Sequence, residues 1–362
     1  MPFVQIYRGC KIALKSIISQ IYCLIMSLIR PVLGRGITRS FKGLTHKRMP
    51  VIAGHKLLYR CNLECKMCPF WRREDSDLLS LEDEVRMLQS LKKAGVLFMG
   101  FEGGEPLLRN DIGQILDESY SRFHTSMVSN GWLLQKKVHE IKDNLDFLFV
   151  SLDGIGKVHD RLRGVSGSYD HAVAGIKEAS RYLNMAISST ITAENLDQAA
   201  DLVNLAQKLG VQINFQIAFD YTTAEKESPD SSRLKAVIEN LLSMKMNKAP
   251  IMNSKEYFES ILNSWYHGIS WECKPWLTIN VDPTGKIVMP CYVLNEYSGS
   301  FTVWDTDILK LWDSYPWGEF ASCNKCALAC YLEPSLFSWT KPSQVKSRII
   351  DNITSFIQRQ IA

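Results

Sequence analysis

The chain has 362 residues, enough for about two domains and a sizeable buried core. Its composition of 46% apolar, 22% charged and 10% aromatic residues excludes a disordered, collagenous or coiled-coil protein. The net charge of +4 is unevenly distributed, because the first 60 residues carry eleven Lys and Arg and no Asp or Glu. The ten cysteines are too sparse for a disulfide scaffold.

The basic N-terminal segment predicts an amphipathic helix over residues 11–29. At steps of about 100° per residue, apolar side chains fill one arc and polar or basic ones the opposite arc. The longest uncharged run is shorter than the ~20 residues that span a bilayer. No small-residue cleavage site follows it. We therefore expect a cytoplasmic protein with neither a spanning helix nor a signal peptide.

A polybasic stretch follows this helix as far as Arg48. An amphipathic helix with such a flank is typical of peripheral binding to an anionic surface, here the inner face of the membrane. The alternative is a helix that packs on its own domain with a solvated basic flank. Nucleic acid is not an expected partner, because Ile and Leu rather than aromatic residues alternate with the bases. Cys10 and Cys23 are interpreted as apolar fillers.

From residue 52 onward, short β-type runs alternate with helical windows. Six strands are predicted, at residues 54–60, 96–101, 124–129, 146–152, 186–191 and 211–217. Five helices are predicted between them, near residues 80–94, 111–121, 133–143, 169–183 and 195–209. Ser80 and Gly95 mark the ends of the first helix, and Asn195 is expected to cap the fifth. The alternation predicts a parallel sheet, either open and doubly wound or a barrel or part-barrel.

In either architecture the chemistry lies in loops at the carboxyl ends of strands. The polar motifs occupy those places: Cys61–Cys68, GGEP at 103–106, Asn130-Gly131 and Asp153-Gly154 follow the first four strands in turn. The predicted organisation is a leader at 1–50, a core at 51–220, a helical connector at 221–270, a cysteine-rich α+β segment at 271–335 and an amphipathic helix at 336–362. A turn is predicted at Asp282–Gly285.

Three cysteines, at positions 61, 65 and 68, lie close enough together to ligate one metal centre. Structural zinc requires a fourth ligand, for which His55 is the nearest candidate, and a catalytic zinc with three ligands and water also fits. Soft all-sulfur ligation equally suits a 4Fe-4S cluster with three of its irons held by protein. Three unconnected thiols are the remaining alternative.

The string CNLECKMC has the Cys-x3-Cys-x2-Cys spacing of the radical S-adenosylmethionine superfamily. The strings GGEP at 103–106, SNG at 129–131, SLDG at 151–154 and HDRLRGVSGSYDHAV at 159–173 resemble that superfamily as well. The resemblance covers about residues 52–217 and implies an α/β fold, a partial (β/α)6 TIM-type barrel. It further implies that Cys61, Cys65 and Cys68 hold a 4Fe-4S cluster whose open iron chelates S-adenosyl-L-methionine.

The same resemblance implies cofactor contacts for seven further residues. Gly103, Gly104 and Glu105 match the strip that meets the amino group of the cofactor's methionine. Ser129, Ser151 and Asp153 match polar positions around the ribose and methionine, with Asp153 as an acceptor for a ribose hydroxyl. Arg163 matches a base that meets the carboxylate, and Arg161 is close enough to compete. Met67 stands where many members have an aromatic residue near the adenine.

Five further cysteines lie in the last third of the chain: Cys273, Cys291, Cys323, Cys326 and Cys330. A Cys-x2-Cys pair with distant thiols suits zinc or a second iron–sulfur cluster. Beside a radical core it resembles the auxiliary-cluster extension called SPASM, or its shorter twitch form. This implies one auxiliary 4Fe-4S cluster held by the first four of these cysteines. Cys330 is then a spare thiol, a substitute ligand or a residue that faces the substrate. Buried structural thiols are the alternative.

These features together predict an enzyme. It is expected to cleave S-adenosylmethionine reductively to a 5′-deoxyadenosyl radical and to abstract hydrogen from a substrate, with a flavodoxin or ferredoxin as electron donor. The basic helix favours a membrane-associated lipid or lipid head group as substrate. A maturase of a ribosomal peptide or cofactor precursor is the alternative. A non-catalytic iron–sulfur or zinc protein is disfavoured, because it would not need GGEP and SLDG after successive strands.

Overall fold

The computed structural model describes residues 46, 48–268, 271–295 and 301–337. The predicted N-terminal helix, most of its polybasic flank, and Cys10 and Cys23 lie outside these residues, as does the predicted amphipathic helix at the C-terminus. Within the described part of the chain, no helix has the length and apolar character needed to cross a membrane.

Six parallel strands form the first part of the sheet. They are β1 (Ile52–Lys56), β2 (Phe98–Glu102), β3 (His124–Ser129), β4 (Phe147–Ser151), β5 (Met185–Ile191) and β6 (Gln212–Ile217). They pair in chain order without reversal. A doubly wound sheet reverses direction after its first strands, so the sequential order instead places the connecting helices on one face, as in a barrel. The predicted partial (β/α)6 barrel is confirmed.

Helices follow these strands, and all but the one at Lys157–Arg163, which was not predicted, lie in the predicted windows. They are α1 (Leu81–Ala94), α2 (Ile112–Tyr120), α3 (Leu134–Ile141), α4 (Lys157–Arg163), α5 (Ser168–Ala179) and α6 (Ala199–Lys208). The Ser80 hydroxyl accepts from the Asp83 N–H at 3.2 Å, and Gly95 ends α1 at a φ of 93°, as expected from both caps. The expected role of Asn195 is wrong. It precedes a short 3-10 turn, and its side chain donates to the Asp153 carbonyl at 2.6 Å.

The two faces of the strands differ in burial. Along β2 and β3, fully buried residues such as Met99, Phe101 and Met127 alternate with half-buried ones such as Gly100 and Ser126. Because successive side chains on a strand point to opposite faces, the buried set packs under the helices and the half-buried set lines the concave interior. Small and polar residues there leave room inside the barrel.

The C-terminal third extends the same sheet. After α7 (Ser231–Met246) and α8 (Lys255–His267), β7 (Thr278–Val281) pairs in parallel with β1, with Ile52 opposite Thr278. The antiparallel strands β8 (Lys286–Val288) and β9 (Phe301–Thr302) follow, then α9 (Ile308–Ser314) and α10 (Ala329–Leu336). The predicted turn at Asp282–Gly285 joins β7 to β8. The predicted boundary near residue 271 therefore does not interrupt the sheet.

Replacing Ile279 with Ala tests the attachment of β7. Ile279 is fully buried beside β1, and truncating such a residue costs about 2–5 kcal/mol of unfolding free energy. Thermal unfolding of the metal-free protein should show one cooperative transition at a lower temperature. Lys286→Ala on the exposed side of β8 serves as the control and should change little. A separate transition of the C-terminal third, with the core unaffected, would contradict a shared sheet.

Candidate active site

The GGEP strip after β2 packs directly on the segment that leads into the first cysteine loop. A Cβ on Gly103 or on Gly104 would overlap the backbone carbonyls of Leu58 or Arg60, so only glycine fits. The Gly104 N–H donates to the Leu58 carbonyl at 2.7 Å and the Glu105 N–H to the Arg60 carbonyl at 3.0 Å. The strip therefore fixes the chain immediately before Cys61.

The cysteine loop, residues 61–68, is held from its other side by the end of α4. The Glu64 N–H donates to the Arg163 carbonyl and the Lys66 N–H to the Leu162 carbonyl, each at 3.0 Å. At Gly164, which follows α4 with a φ of 73°, a Cβ would lie 2.5 Å from the Glu64 carbonyl oxygen. The loop is thus clamped between two glycine-containing segments from different strand–helix units.

Glu105 connects the ends of β2 and β3. Its buried carboxylate accepts from the Ser129 hydroxyl at 2.9 Å, the Leu107 N–H at 3.1 Å and the Asn130 N–H at 2.7 Å. Burial raises the pKa of Glu105 to about 7, although these three donors partly offset the effect. All three partners donate to the carboxylate, so it positions the neighbouring loops.

Asn130 extends this network to the cysteine loop and was missed as a site residue. Its amide donates to the Asn62 side-chain oxygen at 2.8 Å and lies 3.7 Å from the Cys61 sulfur. The signal was present in the SNG string, from which only Ser129 was taken as a cofactor contact. An amide donor beside a cluster sulfur stabilises negative charge on that sulfur and tunes its potential.

Arg163 and Asp153 form a buried ion pair beside the second cysteine. The Arg163 guanidinium lies 2.6 Å from one Asp153 oxygen, and its Nη1 lies 3.6 Å from the Cys65 sulfur. The other Asp153 oxygen accepts from the Thr190 N–H at 2.8 Å. Arg161, the predicted competitor, is turned to the surface and pairs with Glu194. Arg163 is therefore the base that faces the cysteine loop.

His159 supports the same ion pair through a hydrogen bond with the Asp153 backbone. Its Nδ1 accepts from the Asp153 N–H at 3.0 Å, and the ring is buried. Burial, followed by the charge of Arg163, lowers the pKa of His159 to about 3, so the ring is neutral.

Ser151, the remaining predicted contact, is half-buried at the end of β4 in register with Ser188. It lies on the interior face of the barrel.

The three thiols of the loop suit a metal cluster. Burial is the main reason that the pKa of Cys61 is raised to about 11 and that of Cys65 to about 12. Cys61 and Cys65 are consequently neutral thiols at pH 7 until a metal binds, as expected for ligands that deprotonate on binding metal. Donors at Cys61 and Cys65 are already in place to stabilise the resulting thiolates.

His55 is not placed as a zinc ligand. Its ring faces the helix layer, where Nε2 lies 3.1 Å from Glu84 and Nδ1 lies 3.3 Å from the Val281 carbonyl oxygen. Among the residues that the structure describes, no three His, Cys, Asp or Glu side chains converge on a point where one metal ion would sit. Cysteines that bind separate irons of a cluster do not require such convergence.

The late cysteines are also brought together. Each of Cys273, Cys291, Cys323 and Cys326 lies within electrostatic range of the other three. Burial, with smaller contributions from the neighbouring thiols, raises the pKa of Cys273 and of Cys326 to about 12. These are the four residues that the sequence predicted as ligands of an auxiliary cluster.

An aromatic cluster packs against Cys68 of the first cysteine loop. The Phe70 ring stacks on Tyr59 and meets Tyr221 and Tyr292 edge-on, with centroid distances of 5.4–6.2 Å. The Lys56 ammonium lies 3.8 Å from the Phe70 centroid and 3.1 Å from a Glu102 carboxylate oxygen. Lys56 and Glu102 were missed by the sequence analysis. The available signal was a charged residue at the carboxyl end of each of two barrel strands.

Comparison with known proteins agrees with this geometry. Residues 56–206 match the Radical SAM superfamily, and residues 213–350 match a domain of unknown function, DUF3463. The pre-heme d1 synthase of Dinoroseobacter shibae is 31% identical over 162 residues, which cover 43% of this chain and 40% of that protein. The PqqA peptide cyclase of Granulibacter bethesdensis is 22% identical over 281 residues, covering 72% of this chain and 73% of that protein.

The fold has solved counterparts. The structure of Streptococcus suis SuiB bound to S-adenosylmethionine aligns with a TM-score of 0.64 and 20% identity, covering 78% of this chain and 70% of that one. Residues 56–206 belong to the radical SAM superfamily of enzymes. Membership implies S-adenosylmethionine and a 4Fe-4S cluster as cofactors, and the chemistry of the three-cysteine loop suits such a cluster.

Replacing Arg163 with Gln tests the buried ion pair. The change leaves the Asp153 carboxylate buried without its partner, which should lower the free energy of unfolding by about 3–5 kcal/mol. Adding Asp153→Asn to the same chain should restore much of the loss. Arg161→Gln removes an exposed ion pair and should cost less than about 1 kcal/mol. Equal losses from both single variants, measured by denaturant unfolding, would show that Arg163 has no special role.

Glu105 should give the fold a specific pH dependence. Its pKa is raised from 4.5 to about 7 in the folded protein, so its contribution to stability is full below pH 4.5 and decreases as the pH rises towards 7. Glu105→Gln should lack this decrease and should lose about 1–3 kcal/mol overall, because an amide N–H would face another donor. Thermal unfolding of both proteins across this range provides the measurement. Parallel pH profiles would contradict the assignment.

Proposed function

We propose that this enzyme reductively cleaves S-adenosylmethionine to 5′-deoxyadenosine and abstracts hydrogen from a substrate held inside the barrel. The supporting observation is the convergence of three other strand-end motifs on the cysteine loop. Glu105 links GGEP to Ser129 and Asn130, and Arg163 links α4 to Cys65. A protein that merely stored a cluster would need the three cysteines and not the surrounding polar connections.

Cys61, Cys65 and Cys68 would hold the first cluster. When bound, the cluster and S-adenosylmethionine supply the low-potential electron and the carbon-centred radical, chemistry that belongs to the cofactors. The protein's part is to bind and orient them and to exclude water. The cationic Arg163 lies beside Cys65, where it can meet the carboxylate of the cofactor's methionine.

Two of the predicted contacts take a different form in this proposal. Both oxygens of Asp153 are engaged, one by Arg163 and one by the Thr190 N–H, so Asp153 holds the guanidinium in place instead of being reserved for a ribose hydroxyl. Both oxygens of Glu105 accept from the protein itself, so Gly103, Gly104 and nearby backbone are left to meet the methionine amino group. These are positioning roles for the two carboxylates.

An auxiliary 4Fe-4S cluster is proposed for Cys273, Cys291, Cys323 and Cys326. Their mutual proximity supports it, as does the joining of their segment to the barrel through β7 and β1. A cluster at this place could accept the electron that remains on the substrate after hydrogen abstraction, which suits a net oxidation or a bond-forming reaction. A flavodoxin or ferredoxin is the proposed donor for the first cluster.

Two substrate classes are proposed. The basic leader favours a lipid or lipid head group at the inner face of the membrane. The polar interior of the barrel, where Ser126, Ser151 and Ser188 lie on half-buried strand faces, favours a peptide or cofactor precursor with hydrogen-bonding groups. Transfer of deuterium from labelled candidates of each class into 5′-deoxyadenosine would identify the true one.

Anaerobic reconstitution tests the cofactor assignment. The full chain should bind about eight irons and form 5′-deoxyadenosine from S-adenosylmethionine under reduction. Cys65→Ala should abolish this product, because it removes a ligand of the first cluster. Cys326→Ala should lose about four irons, the content of the auxiliary cluster alone. Zinc in place of iron, with no cleavage, would favour the non-catalytic alternative.

Sedimentation with liposomes tests the membrane hypothesis. The full chain should sediment with anionic vesicles and not with neutral ones, since each base near the surface contributes about 1 kcal/mol. A chain lacking residues 1–48 should lose this binding while retaining its iron. Equal binding by both proteins would remove the support for a lipid substrate.

A further inference from the structure

Cys330 is placed differently from the other late cysteines. It lies in the first turn of α10, where its neighbours Ala329, Tyr331 and Leu332 are buried, yet its own side chain is exposed to solvent. Burial within the surrounding protein is nevertheless the main cause that raises the pKa of its thiol. A side chain that water reaches although protein surrounds it lies in a recess of the surface. Cys330 therefore faces such a recess.

Two charged residues of the barrel lie near the Cys330 thiol. Beyond its own segment, the thiol lies within electrostatic range of Glu102 and Lys56, which end β2 and β1. The half-buried Tyr221 is within electrostatic range of Cys330 and Cys326 and also of Cys68 and Glu102. The recess consequently lies near both the first cysteine loop and the late cysteines. A substrate held there would be close enough to exchange an electron with a cluster at either group of cysteines.

Asn280 provides an independent sign of a ligand. Its side chain is 4% exposed, and Nδ2 has no hydrogen-bond partner among the described residues, whereas Oδ1 accepts from the Tyr331 hydroxyl at 3.3 Å. A Cβ on Gly54 would lie 3.4 Å from that oxygen and 3.7 Å from a Glu102 oxygen, so both side chains border the same open spot. Buried polar groups in native proteins are almost always paired, and an unpaired one indicates a missing partner.

We propose that Lys56, Glu102, Asn280 and Cys330 form a substrate subsite in which Cys330 is not a cluster ligand. The subsite would take a hydroxyl or amide group that donates to Glu102 and accepts from Asn280, against the rings of Tyr221 and Tyr292. The Glu102 oxygen that borders the open spot also lies 3.1 Å from the Lys56 ammonium, and this part-exposed carboxylate has further lone pairs with which to accept from a ligand. This inference rests on the proposed function, in that the bound group is taken to belong to its substrate.

The iron content of Cys330→Ser tests the first part. Reconstituted anaerobically beside the parent protein, it should bind the same number of irons, whereas Cys326→Ser should lose about half. Iodoacetamide applied to the parent holoenzyme should alkylate Cys330 and spare the cluster ligands, as mapped by peptide mass spectrometry. Loss of about four irons from Cys330→Ser, or protection of Cys330 in the holoenzyme, would overturn the proposal. Neither readout depends on cleavage of S-adenosylmethionine.

Two matched alkylating probes test the polar subsite. N-(2-hydroxyethyl)-2-bromoacetamide and N-propyl-2-bromoacetamide have nearly the same size and differ in a hydroxyl. Normalised to their rates with free cysteine, the hydroxyl probe should label Cys330 roughly tenfold faster, as expected for one hydrogen bond to a charged group. Glu102→Gln should reduce this preference, and Glu82→Gln on the exposed face of α1 should not. Equal normalised rates in the parent protein would overturn the assignment.

Discussion

The close contact between the GGEP strip and residues 57–60 is the constraint on which the active site depends. No side chain fits between the two backbones, and their direct hydrogen bonds leave the chain before Cys61 only one path. The end of α4 imposes a similar constraint on the other side of the loop. The three thiols are thereby held in a fixed frame before a cluster binds, and two of them, Cys61 and Cys65, have raised pKa values that disfavour their anions without metal.

Hydrogen bonds and one ion pair then connect the cysteine loop to the ends of other strands across the barrel. Glu105, Asn130 and Asp153 follow the ends of strands and Arg163 ends α4, each contacts a segment from another strand–helix unit, and most of them are buried. Such groups are costly alone and stabilising only when all are satisfied. The residues that resemble cofactor contacts in the sequence are therefore also those that build the site. Substitutions among them will affect folding and cofactor binding together.

The local patterns predicted most of the barrel and its motif residues, because strand alternation and turn chemistry are properties of short segments. Three features were not predicted from the sequence, each for a physical reason. Asn195 was expected to cap a helix, but its side-chain oxygen accepts from the Thr192 N–H, and its amide donates to the Asp153 carbonyl, 42 residues away. The pairing of β7 with β1 joins segments more than 200 residues apart. Lys56 and Glu102 lie just outside recognisable motifs, and their meeting depends on strand register.

The pairing of β7 with β1 also affects how the protein is made. The strand that leads into the first cysteine loop has one open edge until residues 278–281 have left the ribosome. Exposed strand edges invite association with other chains, and the whole connector must be synthesised before this one is covered. The nascent barrel is therefore vulnerable for most of translation, and cluster loading during that interval would act on an incomplete sheet.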